Sequence, residues 1–127
     1  MKVGFIGDGV LPKEAFEFIL EEIKIYGVQA DSICLNASYE FGKSVLSYAK
    51  EKNLKVIALN EFSNEEFEDF KRDYDRNKQI IKLSDAVITF ESLNVGDATK
   101  NAMRYMTRKK KSFFRLKEDK QNRIYIY

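Results

Sequence analysis

Four short stretches carry residue types that could hold a small polar molecule. They are Gly7-Asp8-Gly9, Asn36-Ala37-Ser38, Arg76-Asn77, and the run from Glu91-Ser92 to Gly96-Asp97-Ala98-Thr99. Glycine and short polar side chains let backbone N–H groups approach an anion, and a helix starting there adds partial positive charge. Gly96-Asp97-Ala98-Thr99 opens a helix in this manner; Asn36-Ala37-Ser38 does so less clearly. Arg76 offers a planar guanidinium that pairs with phosphate as a fork, and Tyr39 or Phe41 offers a ring for a base. Each stretch also has a plainer role. Gly7 and Gly9 suit a tight strand-to-helix turn, and Gly-x-Gly alone does not separate a turn from a ligand loop. Asp97 or Thr99 can cap its own helix. Arg76 can be a surface arginine beside a cap at Asn77, and Tyr39 and Phe41 can belong to the core or to a subunit contact.

The carboxylates near these stretches are Asp8, Glu40, Glu91 and Asp97. A catalytic acid among them would need a raised pKa, whereas loop carboxylates are ordinarily solvated or capping. The chain has no histidine and one cysteine, Cys34. That composition excludes His-based triads, His general bases, and zinc sites built on histidine or paired thiolates. No metal or cofactor is expected, and one cysteine leaves no intrachain disulfide. A reducing compartment, the cytoplasm, is the expected location.

Twenty-two basic and 20 acidic side chains leave a net charge of +2, too weak a field to argue for nucleic acid or membrane. Arg104, Arg108, Lys109, Lys110 and Lys111 form a basic run, but cations at a helix C-terminus complement its dipole. Nucleic acid is therefore not an expected partner. No apolar run approaches the roughly 20 residues that cross a bilayer. Met1–Ile6 is interrupted too soon by Gly7-Asp8-Gly9 to serve as a signal peptide.

The elements that must position these loops read as alternating strands and helices. Strands are expected at Lys2–Ile6, Ser32–Leu35, Lys55–Leu59, Ala86–Phe90, Phe113–Leu116 and Arg123–Tyr127. Between the first two, Pro12 suits a first helical turn, Phe16, Ile19, Leu20 and Ile23 fall at helical spacing, and Gly27 is the stop. Val45, Leu46 and Ala49 mark a second helix closing near Asn53. Ser63-Asn64-Glu65-Glu66 reads as a capping box for a third, through Phe67, Phe70 and Tyr74. Asn77 is then expected to cap a further turn carrying Ile80, Ile81 and Leu83, and Thr99 to Lys111 is the last helix. The pattern indicates βαβ units: an α/β open sheet, mainly parallel, with helices on both faces and an antiparallel C-terminal strand. With 127 residues and no linker it is expected to be one domain, 1–127. In such a sheet the ligand crevice lies beyond the carboxyl ends of the strands. The loops to watch are thus Gly7–Gly9, Asn36–Gly42, Asp75–Asn77 and Glu91–Thr99, which the fold brings to one edge.

From Arg76 onward the chain resembles a known family. Arg76 to Phe90, an Arg-Asn helix followed by Ser84-Asp85-Ala86 and the apolar strand Val87-Ile88-Thr89-Phe90, is similar to YspA-like proteins of the SLOG superfamily. That superfamily is related to the cytokinin-activating LOG enzymes and to DprA. The similarity runs on through Gly96 and Thr99-Lys100-Asn101 to Arg108-Lys109-Lys110, and Met1–Gly7 and Tyr48–Leu54 match more loosely. The resemblance implies a Rossmann-like fold that binds nucleotides or nucleotide-derived molecules, some relatives cleaving N-glycosidic or phosphoribosyl bonds and others sensing signal nucleotides. It also implies self-association as a homodimer or larger homo-oligomer; Tyr105, Met106 and the C-terminal strand are candidates either for such contacts or for the core. The chain departs from the pattern in two places. Asn36 to Lys43 lacks the family's Gly-Gly-x-x-Gly-Ala-Asp loop. Leu93 to Thr99 keeps one glycine of the LOG signature, and Lys100, Asn101 and Ala102 stand where its catalytic glutamate would follow.

The expected function is binding of a nucleotide or nucleotide-derived signalling molecule, of adenine or ADP-ribose type, without turnover, by a sensor or sequestering protein. Two alternatives stay open: an N-glycosidic or phosphoribosyl hydrolase, and an interaction protein whose nucleotide fold is empty. The expected ligand contacts are Gly7, Asp8, Gly9, Asn36, Ala37, Ser38, Arg76, Asn77, Glu91, Ser92, Gly96, Asp97 and Thr99.

Overall fold

A computed structural model describes residues 1–59 and 69–126, with the side chains of 69–75 excepted. The proposed capping box Ser63–Glu66 and Phe67 lie outside the described residues, as does Tyr127. In chain order the elements are β1 (Lys2–Gly7), α1 (Lys13–Glu22), β2 (Ser32–Asn36), α2 (Glu40–Glu51), β3 (Lys55–Leu59), α3 (Asp69–Leu83), β4 (Ala86–Glu91), α4 (Asp97–Arg108), β5 (Phe113–Glu118) and β6 (Ile124–Ile126). A single 3₁₀ turn, Ile23–Tyr26, prolongs α1 and ends at Gly27, whose φ of 79° is the left-handed conformation that glycine adopts without a Cβ penalty.

The six strands form one sheet in the order β3-β2-β1-β4-β5-β6. All neighbours are parallel except β5 and β6, which pair antiparallel across a short turn. This is the expected α/β architecture, in the order of a doubly wound sheet. The chain builds outward from β1 to β2 and β3, then returns through α3 to lay β4 on the other side of β1.

Strand periodicity divides the side chains between two cores. Val3 and Phe5 of β1, Ile33 and Leu35 of β2, Ile88 and Phe90 of β4, and Leu116 of β5 face one side. They pack there against Phe16, Ile19 and Leu20 of α1 and Phe41, Val45 and Ala49 of α2. Ile6, Cys34 and Val87 face the other side, against Ile80 and Ile81 of α3 and Ala102 and Met106 of α4. Successive residues of β1, β2 and β4 are buried on both faces, as strands of a parallel sheet with helical cover must be.

Several details depart from the sequence reading, among them the end of the last helix, which stops at Arg108 rather than at Lys111. Asn77 does not begin a helical turn, because α3 runs without a break from Asp69 to Leu83. The alternation of polar and apolar residues there is one helix showing its two faces. Helix α4 starts at Asp97, two residues before Thr99, with Gly96 as an extended N-cap residue. At the other end of the same layer, Lys111 turns back and donates from its Nζ to the carbonyls of Ile81 and Ser84, at 2.7 and 2.5 Å. One member of the basic run therefore neutralises carbonyls at the end of α3.

Candidate functional site

At the carboxyl edge of the sheet, β1 sends the chain toward α1 while β4 sends it toward α4 on the opposite face. The two connections diverge there and leave a cavity of about 560 Å3, inside the range of roughly 300–1,000 Å3 common for ligand sites. Its walls come from separate parts of the chain. Gly7 ends β1 and Asp8 and Gly9 follow it, Asn36 ends β2, Tyr39 to Gly42 open α2, Asn77 projects from α3, and Gly96 to Thr99 open α4.

Glycines make this convergence possible. A Cβ on Gly42 would lie 1.6 Å from the carbonyl oxygen of Asn36, so the first turn of α2 rests directly on the end of β2. A Cβ on Gly7 would come within 2.9 Å of both the Phe41 ring and Cβ of Phe90. Phe41 and Phe90 stack beneath it, with centroids 6.1 Å apart and an interplanar angle of 8°. Phe41, 4 % exposed, thus serves as cavity floor rather than as a free platform. Tyr39 stands at the rim and is exposed. Gly9 has φ 74°, the left-handed turn that leads the chain away from β1.

The polar groups are set by backbone and neighbour. Asp8 accepts a hydrogen bond from Ser92 Oγ at 3.1 Å and another from the backbone N–H of Gly96. Its carboxylate ties the β1 loop to the N-terminus of α4, the position where a helix would otherwise receive an external anion. Asn36 Oδ1 accepts from the backbone N–H of Ser38 at 3.0 Å and closes an Asx turn ahead of α2. Asn77, 8 % exposed, donates from Nδ2 to the carbonyl of Ala98 at 3.4 Å, bridging α3 to α4. Glu40 and Asp97 occupy the first turns of α2 and α4, where a carboxylate complements the helix dipole.

Gly7, Asp8, Gly9, Asn36, Asn77, Gly96, Asp97 and Thr99 therefore share one wall or another of the cavity. The other expected contacts sit elsewhere. Ala37 continues the sheet ladder by donating its N–H to Leu59 at 3.1 Å. Ser38 completes the Asx turn, and Ser92 reaches the cavity only through Asp8. Arg76 is buried in α3, where its Nη1 donates to Gln79 Oε1 at 3.2 Å. Glu91 is also buried and takes a forked pair from Arg115 of β5, at 2.9 and 3.1 Å from Nη2. The two lie diagonally on adjacent strands, since Thr89 is the residue directly opposite Arg115.

Gly42 and Ala98 also line the cavity, though the sequence reading did not single them out as contacts. The sequence reading ended a loop at Gly42; its signal emerges only once α2 is seen to begin at Glu40, because a glycine in a helix is costly unless a close approach requires it. Among the described residues no group of three or more His, Cys, Asp or Glu side chains is arranged to hold a metal, and no helix is long and apolar enough to cross a membrane. No family model matches the chain, nor does any curated protein or solved structure.

Proposed function

We propose that this chain binds a nucleotide or nucleotide-derived signalling molecule and does not turn it over, acting as a sensor or by sequestering the molecule. The observation that carries this reading is the cavity at the divergence of β1 and β4, walled by the starts of two helices, in a sheet of doubly wound order. The resemblance of 76–111 to SLOG proteins supports the same class of ligand. Within this reading the protein works in the cytoplasm as a homodimer or larger homo-oligomer. Denaturing freshly purified protein and weighing the released small molecules by mass spectrometry tests it directly, together with titration calorimetry against cyclic and linear adenine nucleotides. A released nucleotide or a saturable heat is expected. Uniformly absent heats and no released molecule would leave the empty-fold alternative standing instead.

One observation favours the hydrolase as a second reading: Asp8, Glu40 and Asp97 all face the same cavity. A carboxylate beside an anomeric carbon can stabilise a cationic transition state or activate water. Chromatography of nucleotides incubated with the protein separates the two readings, because only the hydrolase releases free base.

A further inference from the structure

Resting on the nucleotide-binding reading, we infer that the part of the ligand lodged in this cavity is its uncharged, donor-bearing nucleoside moiety and that the site selects against added phosphates. The cavity presents acceptors. Asn77 is 8 % exposed, and donation of its Nδ2 to the Ala98 carbonyl fixes the amide orientation, because a carbonyl can only accept. Its Oδ1 is then the outward acceptor. Among the described residues it receives no hydrogen bond, and Asn77 is one of the residues that line the cavity. An amide acceptor on the cavity wall can take a hydrogen bond from a donor of the ligand.

The charged groups point the same way. Asp8, Glu40 and Asp97 line the cavity, and among the described residues no Lys or Arg does. The two helix N-termini that could receive a phosphate are already supplied with carboxylates from their own first turns, and the Gly96 N–H is taken by Asp8. A phosphate entering would meet three like charges. Ribose hydroxyls and the amino group of a base would meet acceptors at the right polarity instead. At effective dielectrics typical of a protein cleft, each added phosphate charge should weaken binding by on the order of tenfold.

The test is calorimetry with four probes: adenosine, AMP, ADP and ATP, at low and at high ionic strength. Adenosine should bind most tightly, each phosphate should weaken binding by about tenfold at low salt, and salt should narrow the series by screening. Glu40→Gln should also narrow the gap between adenosine and ATP. Asn77→Leu should weaken adenosine by about tenfold, with circular dichroism used to confirm that the variant folds. ADP or ATP binding as tightly as adenosine, or more tightly, overturns the inference and leaves nucleotide binding intact. Silence from all four probes overturns the inference, and together with the absence of any molecule released on denaturation it overturns the binding reading as well.

Discussion

Replacing Gly42 by alanine separates two opposed effects at the hinge of the site. In a helix, Gly→Ala ordinarily stabilises by about 0.4–1 kcal/mol, because the unfolded chain has less freedom to lose. Gly42 is the third residue of α2, so that gain is available. Against it stands geometry. The new Cβ would sit 1.6 Å from the carbonyl oxygen of Asn36, about 2 Å short of the 3.4 Å at which ordinary contact begins. The obstacle is backbone at the end of β2, so no side chain can rotate away, and the start of α2 must lift from the sheet. Overpacking of this kind costs about 1–3 kcal/mol and sometimes more. We expect a net loss of about 2 kcal/mol, which for a chain of this length lowers Tm by roughly 6–12 °C. Thermal unfolding followed by far-UV circular dichroism measures it. Ser47→Ala, on the exposed face of the same helix, serves as control and should leave Tm unchanged or raise it slightly. Because Glu40 and Phe41 move with Gly42, ligand affinity should fall in the same variant. A Gly42→Ala protein as stable as the parent, or more stable, would refute the packing argument.

Three further changes test other parts of the fold. Arg115→Met leaves the Glu91 carboxylate buried without its fork of donors. We expect a loss of about 2 kcal/mol in urea unfolding, below the full cost of breaking a buried pair because the arginine is 35 % exposed. Gly7→Ala pushes a methyl against Phe41 and Phe90 and should destabilise by about 1–2 kcal/mol, with a changed near-UV spectrum from the displaced ring. Cys34 is wholly buried, and burial pushes its thiol pKa up. The folded state thus favours the neutral thiol, so its contribution is intact below the unfolded-state pKa of about 8.5 and is lost as pH rises through the higher folded value. Tm should decline between pH 8 and 9.5 with a shallower slope in Cys34→Ala, and a disulfide reagent should label native protein slowly and unfolded protein at once.

The sequence by itself determined the layers and the order of elements. Short branched runs such as Lys55–Leu59 and Ala86–Phe90, separated by helical spacing in Phe16–Ile23 and Val45–Ala49, leave few arrangements besides a parallel sheet with helical cover. The gap between β5 and β6 was too short for a crossover, so their antiparallel pairing was also legible. Gly7, Asp8, Gly9, Asn36, Gly96 and Asp97 could be placed at the carboxyl edge because topology alone sends every strand-to-helix turn there.

What only the tertiary structure decided is how the polar side chains at that edge divide among partners. Arg76 and Asn77 are neighbours in sequence, yet α3 carries Arg76 toward Gln79 and Asn77 toward Ala98 and the cavity. Glu91 and Ser92 part in the same way, one to Arg115 and the other to Asp8. Local pattern fixes on which element a residue stands. Its partner depends on strand register and helix rotation, set by packing many residues away, and no stretch of sequence contains both halves of the pair. The carboxylate of Asp8, joined to a backbone amide 88 positions along the chain, is the clearest case. It turns a site whose glycines suggest phosphate into one whose walls accept hydrogen bonds.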